Sequence, residues 1–164
     1  MLKSHLGLKG RYYIEHRNAD GRLLGIYRVP NGIVDVGMEA LLETTFRNGT
    51  QYAAWYMGLV DNAGWTSFAD ADTMASHAGW SESTAYSQAN RVQWSPDAAA
   101  SRQVTNGSAV EFSINGTETL KGVFIVSDNT KSGSSGILWS TAAFASTVAV
   151  QSGDTLKVTY TVSG

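Results

Sequence analysis

The sequence predicts a mainly β domain, an antiparallel β-sandwich of jelly-roll-like style with one short α-helix at residues 35–47. Three observations predict it. Short segments of alternating apolar and polar residues recur along the chain, separated by Gly, Asn, Asp and Ser clusters suited to turns. One stretch alone carries the i, i+3, i+4 spacing of a helix face. Hydrophobic residues make up 43% and charged residues only 16%, against about 25% charged in a typical domain, so polarity comes from small neutral side chains. A chain of 164 residues buries roughly two-thirds of its surface, enough for a core without staples.

Residues 1–10 read as an N-terminal arm and residues 11–164 as a single sandwich domain. Its first element is a hairpin over 11–29, with strands Arg11–Arg17 and Arg22–Val29 around Asn18-Ala19-Asp20-Gly21. The Asp-Gly step supplies the positive φ that a tight turn needs. Pro30-Asn31-Gly32 is expected to stop the second strand, because proline has no ladder donor. From Asp35, the positions Met38, Leu41, Leu42, Thr45 and Phe46 line one helical stripe, with Asp35 as N-cap, Arg47 at the negative end of the dipole and Gly49 as left-handed cap. The remaining strands are read at Ala54–Val60, Arg91–Ser95, Ala109–Asn115, Leu120–Ser127, Ile137–Ala142 and Thr155–Val162. The last alternates Leu156, Val158, Tyr160 and Val162 with Thr155, Lys157, Thr159 and Thr161. Val123-Phe124-Ile125-Val126 is apolar on both faces, so that strand is expected to be central and covered twice. Asp61–Asn90 reads as a long loop or arm, and Ser132–Gly136 as a flexible hairpin tip.

Several functional classes fall away at this stage. No run approaches 18 apolar residues, so no membrane helix is expected. Charge interrupts Met1–Lys9, which lacks the apolar centre of a secretory signal. With no Cys and a formal charge of −2, thiolate metal sites, Cys nucleophiles and nucleic-acid binding are not expected. Asp61, Asp70, Asp72 and His77 do not fit a calcium loop, whose glycine and closing glutamate would fall on Ala75 and Ser81. No Gly-x-Ser-x-Gly elbow and no phosphate-binding glycine loop occurs. The expectation is a protein without catalytic residues, metal or cofactor.

What remains points to contact surfaces. The first thirty residues hold six basic groups and two acidic ones, whereas the rest of the chain is acidic on balance. Arg11, Arg17, Arg22 and Arg28 with Tyr12, Tyr13 and Tyr27 are candidate partner contacts, the arginines for acidic groups and the tyrosines for buried area. Four of the five Trp fall within residues 55–94. Trp55 reads as core, while Trp65 and Trp80 sit among small polar residues and join the candidate contacts.

The order of segments carries a resemblance. Asn31–Leu42, Gly49-Thr50-Gln51, Ala54–Val60, Asp72-Thr73-Met74-Ala75-Ser76-His77-Ala78-Gly79-Trp80, Tyr86–Arg91, Gly122–Ser127, Leu138–Ala142 and Gly153–Tyr160 together resemble a group of small virion structural proteins of tailed bacteriophages, over nearly the whole chain. The Thr-Met-Ala-Ser-His-Ala-Gly-Trp stretch is its most distinctive part. The resemblance implies a capsid decoration (cement) protein, made in the host cytoplasm and placed on the virion surface. Its partners would be the major capsid protein and copies of itself. A tail or tail-fibre component is the alternative it leaves open, with Trp65, Trp80 and Tyr86 stacking on carbohydrate.

Overall fold

A computed structural model describes residues 7–164. The expected arm thus lies mostly outside the described residues, and Lys9 and Gly10 open the first strand. In chain order the elements are β1 (Lys9–Arg17), β2 (Leu23–Ile33), α1 (Asp35–Phe46), β3 (Trp55–Asp61), β4 (Ser81–Ser83), β5 (Val92–Trp94), β6 (Gln103–Thr105), β7 (Val110–Ser113), β8 (Glu118–Val126), β9 (Leu138–Val150) and β10 (Thr155–Ser163). The chain is mainly β with one short helix, and its strand pairs are antiparallel.

The strands form two layers joined at a corner. In the first, β10 carries both β6 and β7 on one side and β1 on the other, and β1 pairs with β2. In the second, β3 carries β4 and β5 and pairs with β8, which pairs with β9. β2 belongs to both, because Gly32 and Ile33 join Thr141 and Ser140 of β9. That crossing explains why the strand runs on through Pro30-Asn31-Gly32 instead of stopping there. Pro30 needs no donor on the side of β2 that faces no strand.

Between the layers lies the main core. Tyr12, Ile14, Phe112, Val158 and Tyr160 of the first sheet meet Met57, Leu59, Val123 and Ile125 of the second, all almost fully buried. Each such side chain contributes roughly 1.5–3 kcal/mol by leaving water. The Tyr12 and Tyr160 rings stack at 4.3 Å, and the Tyr12 hydroxyl lies 2.9 Å from Ser140 Oγ across the two sheets. Burial pushes both tyrosine hydroxyls above their ordinary pKa.

A smaller core covers the outer face of the second sheet. Phe124, Val126, Val60 and Leu138 are buried there beneath Met74 and Trp80 from the long loop and Val34 from before α1. β8 is therefore covered on both faces, as its unbroken apolar run predicts. The loop is held by backbone bonds, Asp35 N–H to Asp70 C=O at 2.8 Å and Thr66 N–H to Gly79 C=O at 2.8 Å.

The helix departs from its predicted stripe. Its one buried residue is Gly37, while Leu42 is 42% and Phe46 75% exposed. Val34, without a side-chain bond, takes the N-cap position and Asp35 enters the first turn. The left-handed residue past the helix is Asn48 at φ 55° rather than Gly49, which instead returns its N–H to Glu43 C=O. Asparagine tolerates that conformation better than other non-glycine residues. Of the three three-residue strands, β5 falls within the expected Arg91–Ser95, whereas β4 and β6 fall outside the expected strands. Beyond the predicted Ile137–Ala142, β9 continues to Val150, through Ala145-Ser146-Thr147, whose small side chains give a weak period.

Candidate interaction surface

The first hairpin is a rigid element with two unlike faces. Asn18 closes its turn: its N–H reaches Arg22 C=O at 3.0 Å, its side-chain oxygen accepts from Arg22 N–H at 2.8 Å, and Gly21 takes φ 79°. The inward residues Tyr12, Ile14, His16 and Val29 are buried. His16 Nε2 lies 2.7 Å from Asp154 Oδ2, both groups about 3% exposed, which clamps β1 to the turn that leads into β10. Asp154 also accepts from Gln151 N–H at 3.1 Å.

Outward, the register sets Arg11 beside Pro30, Tyr13 beside Arg28 and Glu15 beside Ile26. Arg28 lies 5.3 Å above the Tyr13 ring, a cation–π contact that holds its stem on the sheet. Arg17 binds Glu15 through two nitrogens, at 2.8 and 3.2 Å. Those bonds are the main reason the Glu15 carboxyl titrates below its ordinary range. Among the described residues Arg11, Arg22 and Arg28 have no carboxylate partner. Leu23, Leu24 and Ile26 are 40–43% exposed beside them. The hairpin thus brings Arg11, Tyr13, Arg17, Arg22, Tyr27 and Arg28 onto one element of the first sheet, with cations and aliphatic surface interleaved. Tyr27 is half-buried against Phe144, ring centroids 5.9 Å apart.

Three expectations are corrected by burial. Tyr12 is 0% exposed and works in the core, not on the hairpin surface. Trp80 is 3% exposed, with its Nε1 hydrogen donated to Asp72 Oδ2 at 2.9 Å and its ring among Phe68, Phe124 and His77. Tyr86, 1% exposed, packs on Phe112, so the trio Trp65, Trp80 and Tyr86 forms no exposed stacking row. Trp65 remains half-buried with the Lys121 ammonium 4.6 Å above its ring. It sits on the outer face of the second sheet, apart from the hairpin.

One feature escaped the sequence reading. Between α1 and the end of the sandwich lies a cleft of about 360 Å³ lined by Leu41, Tyr52, Trp55, Trp94, Trp139 and Val162, among others. Two of the tryptophans are oriented by single bonds, Trp139 Nε1 to the Tyr160 hydroxyl and Trp94 Nε1 to Asn106 Oδ1. The signal was present only as scattered aromatics, since the three tryptophans come from β3, β5 and β9.

Among the described residues no group of three or more His, Asp or Glu is placed to hold a metal ion. No helix among them is long and apolar enough to cross a membrane. Comparison with known protein families gives no match, and comparison with curated proteins gives none either.

Proposed function

We propose that this chain is a structural protein of a tailed-phage virion, a decoration protein that fastens neighbouring major capsid subunits and works without catalysis. The observation that carries the reading is the β1–β2 hairpin, clamped beside its turn by the buried His16–Asp154 pair and presenting Arg11, Arg22 and Arg28, without carboxylate partners among the described residues, beside exposed aliphatics. Such a surface suits a partner that offers carboxylates and a modest apolar patch. The sequence resemblance to small virion proteins supplies the context of the partner. On a shell, many copies of one modest interface act together, so total attachment far exceeds what one contact provides.

Copy number tests it. Quantitative mass spectrometry of purified virions, together with imaging of the particles, is expected to find many copies spread over the shell. Shells stripped of the protein are expected to rupture at lower temperature, and to recover when it is added back. A few copies confined to the tail, or none, would overturn the reading, the former in favour of the tail component.

A further inference from the structure

We infer that the free edge of β2 between Gly25 and Pro30 receives one extended, acidic strand of a partner subunit, which adds to the first sheet beside β2. The inference rests on the shell-binding reading and names the partner's chemistry. β1 occupies one side of β2 from Leu23 to Asn31, whereas β9 joins the other side only at Gly32 and Ile33. Among the described residues no strand is paired along the rest of that side, although Phe144 of β9 packs on Tyr27 near it. Along such an edge, alternate residues turn their N–H and C=O away from the sheet and offer them to an incoming backbone. Leu24, skipped in the register, and Pro30, without a donor, bound the open stretch.

The faces of the edge specify the side chains of the newcomer. Ile26 and Arg28 point outward, both exposed, while Tyr27 points inward against Phe144. A strand laid alongside places alternate side chains next to each set. Carboxylates on the outer set would meet Arg28, and Arg22 towards the hairpin tip, cations that have no carboxylate partner among the described residues. Apolar residues on the inner set would extend the Tyr27–Phe144 contact. A second copy is a poorer occupant, because two-fold pairing of β2 with itself sets two basic hairpins side by side.

The probe is a capped hexapeptide of alternating Glu and Val, titrated into the isotope-labelled full chain and followed by amide NMR shifts. A Lys-Val peptide of the same length is the control. The acidic peptide is expected to shift the amides of Gly25–Val29, and the basic one to leave them in place. The Arg22→Glu/Arg28→Glu variant, which alters two exposed side chains without a carboxylate partner among the described residues, is expected to bind the acidic peptide roughly tenfold more weakly and to prefer the basic one. Shifts centred elsewhere, equal binding of both peptides, or a free-solution dimer that protects these amides would overturn the inference. Its failure is separable from that of the shell reading. Many copies on the shell, with the N–H groups between Gly25 and Pro30 that turn away from β1 still exchanging freely, would remove the edge assignment alone. Acidic-peptide binding at the edge by a protein absent from virions would remove the shell reading alone.

Discussion

The guanidinium of Arg91 lies wholly out of water, and its surroundings show what that requires. Glu82, 5% exposed, takes three bonds from it at 2.8–3.2 Å, and the carbonyls of Asp128 and Gly133 take one each at 3.1 and 2.8 Å. Glu82 also accepts from Ser132 N–H at 2.8 Å, and the Lys131 ammonium reaches Tyr86 C=O at 2.8 Å. The Ser132–Gly136 segment, a flexible tip on composition, is thereby fastened at one end, through partners some forty residues away that composition does not reveal. Arg91→Met leaves the Glu82 charge buried without its guanidinium partner, so it is expected to lower stability by about 3–5 kcal/mol. Arg47→Met removes a pair with Glu43 whose side chains are 75% and 50% exposed, and is expected to change stability by less than about 0.5 kcal/mol. Urea unfolding of the two variants measures the contrast. Glu118 shows the opposite economy of charge. Burial raises its carboxyl pKa, opposed by a hydrogen bond from Ser83 and helped by the nearby Asp61 carboxylate. A carboxyl whose folded pKa exceeds its unfolded value contributes most at low pH and loses that contribution as pH rises through the folded pKa. Glu118→Gln is therefore expected to match the parent in acid and exceed it in stability above the carboxylate range. A constant difference across pH would contradict this.

At the scale of the element, α1 is the least predictable piece, and the reason is a single close approach. A Cβ added at Gly37 would lie 2.6 Å from Trp139 C=O and 2.9 Å from Trp139 Cα, so the helix meets β9 backbone to backbone there. The apolar stripe of Met38, Leu41, Leu42, Thr45 and Phe46 marks a helix correctly, yet the contact face is chosen by the residue with no side chain. Leu42 and Phe46 are left outside, and Leu41 lines the aromatic cleft instead. Gly37→Ala is expected to destabilise by about 1–3 kcal/mol through this overlap, despite the roughly 1 kcal/mol that alanine gains in helix propensity. Gly32→Ala, whose Cβ would meet nothing within 4 Å, is the control and is expected to stay within about 1 kcal/mol of the parent. Because Trp55 and Trp139 border the cleft below the helix, a shift in tryptophan emission should accompany the first substitution and not the second.

Across the whole molecule, alternation reveals which face a residue takes, and leaves open which strand lies next to it. Val123–Val126 reads as covered twice and is so, with Val123 and Ile125 in one core and Phe124 and Val126 in the other. The basic character of the hairpin is equally legible. That its second strand has a free edge is not, since this depends on where β9 turns away, and neither is the burial of Tyr12 and Trp80, which depends on what lies above them. Pairing is set by contacts distant in sequence: β1, at the start of the described chain, pairs residue for residue with β10, from Lys9 with Ser163 to Arg17 with Thr155. The β2–β9 corner likewise joins Ile33 to Ser140. Both sheets therefore close only after long loops have lost their entropy, and such topologies fold slowly. Refolding from urea, followed by tryptophan fluorescence, is expected on a millisecond-to-second scale. Because the β1–β10 seam closes the largest loop, Val158→Ala in that seam should slow folding only if the seam forms before the rate-limiting step; if it forms afterwards, the same substitution acts by speeding unfolding. The second outcome is expected, since β8 with β3 and β9 offers nearer contacts around which the rest can assemble. Submillisecond refolding would show that local structure, and not this long-range closure, sets the barrier.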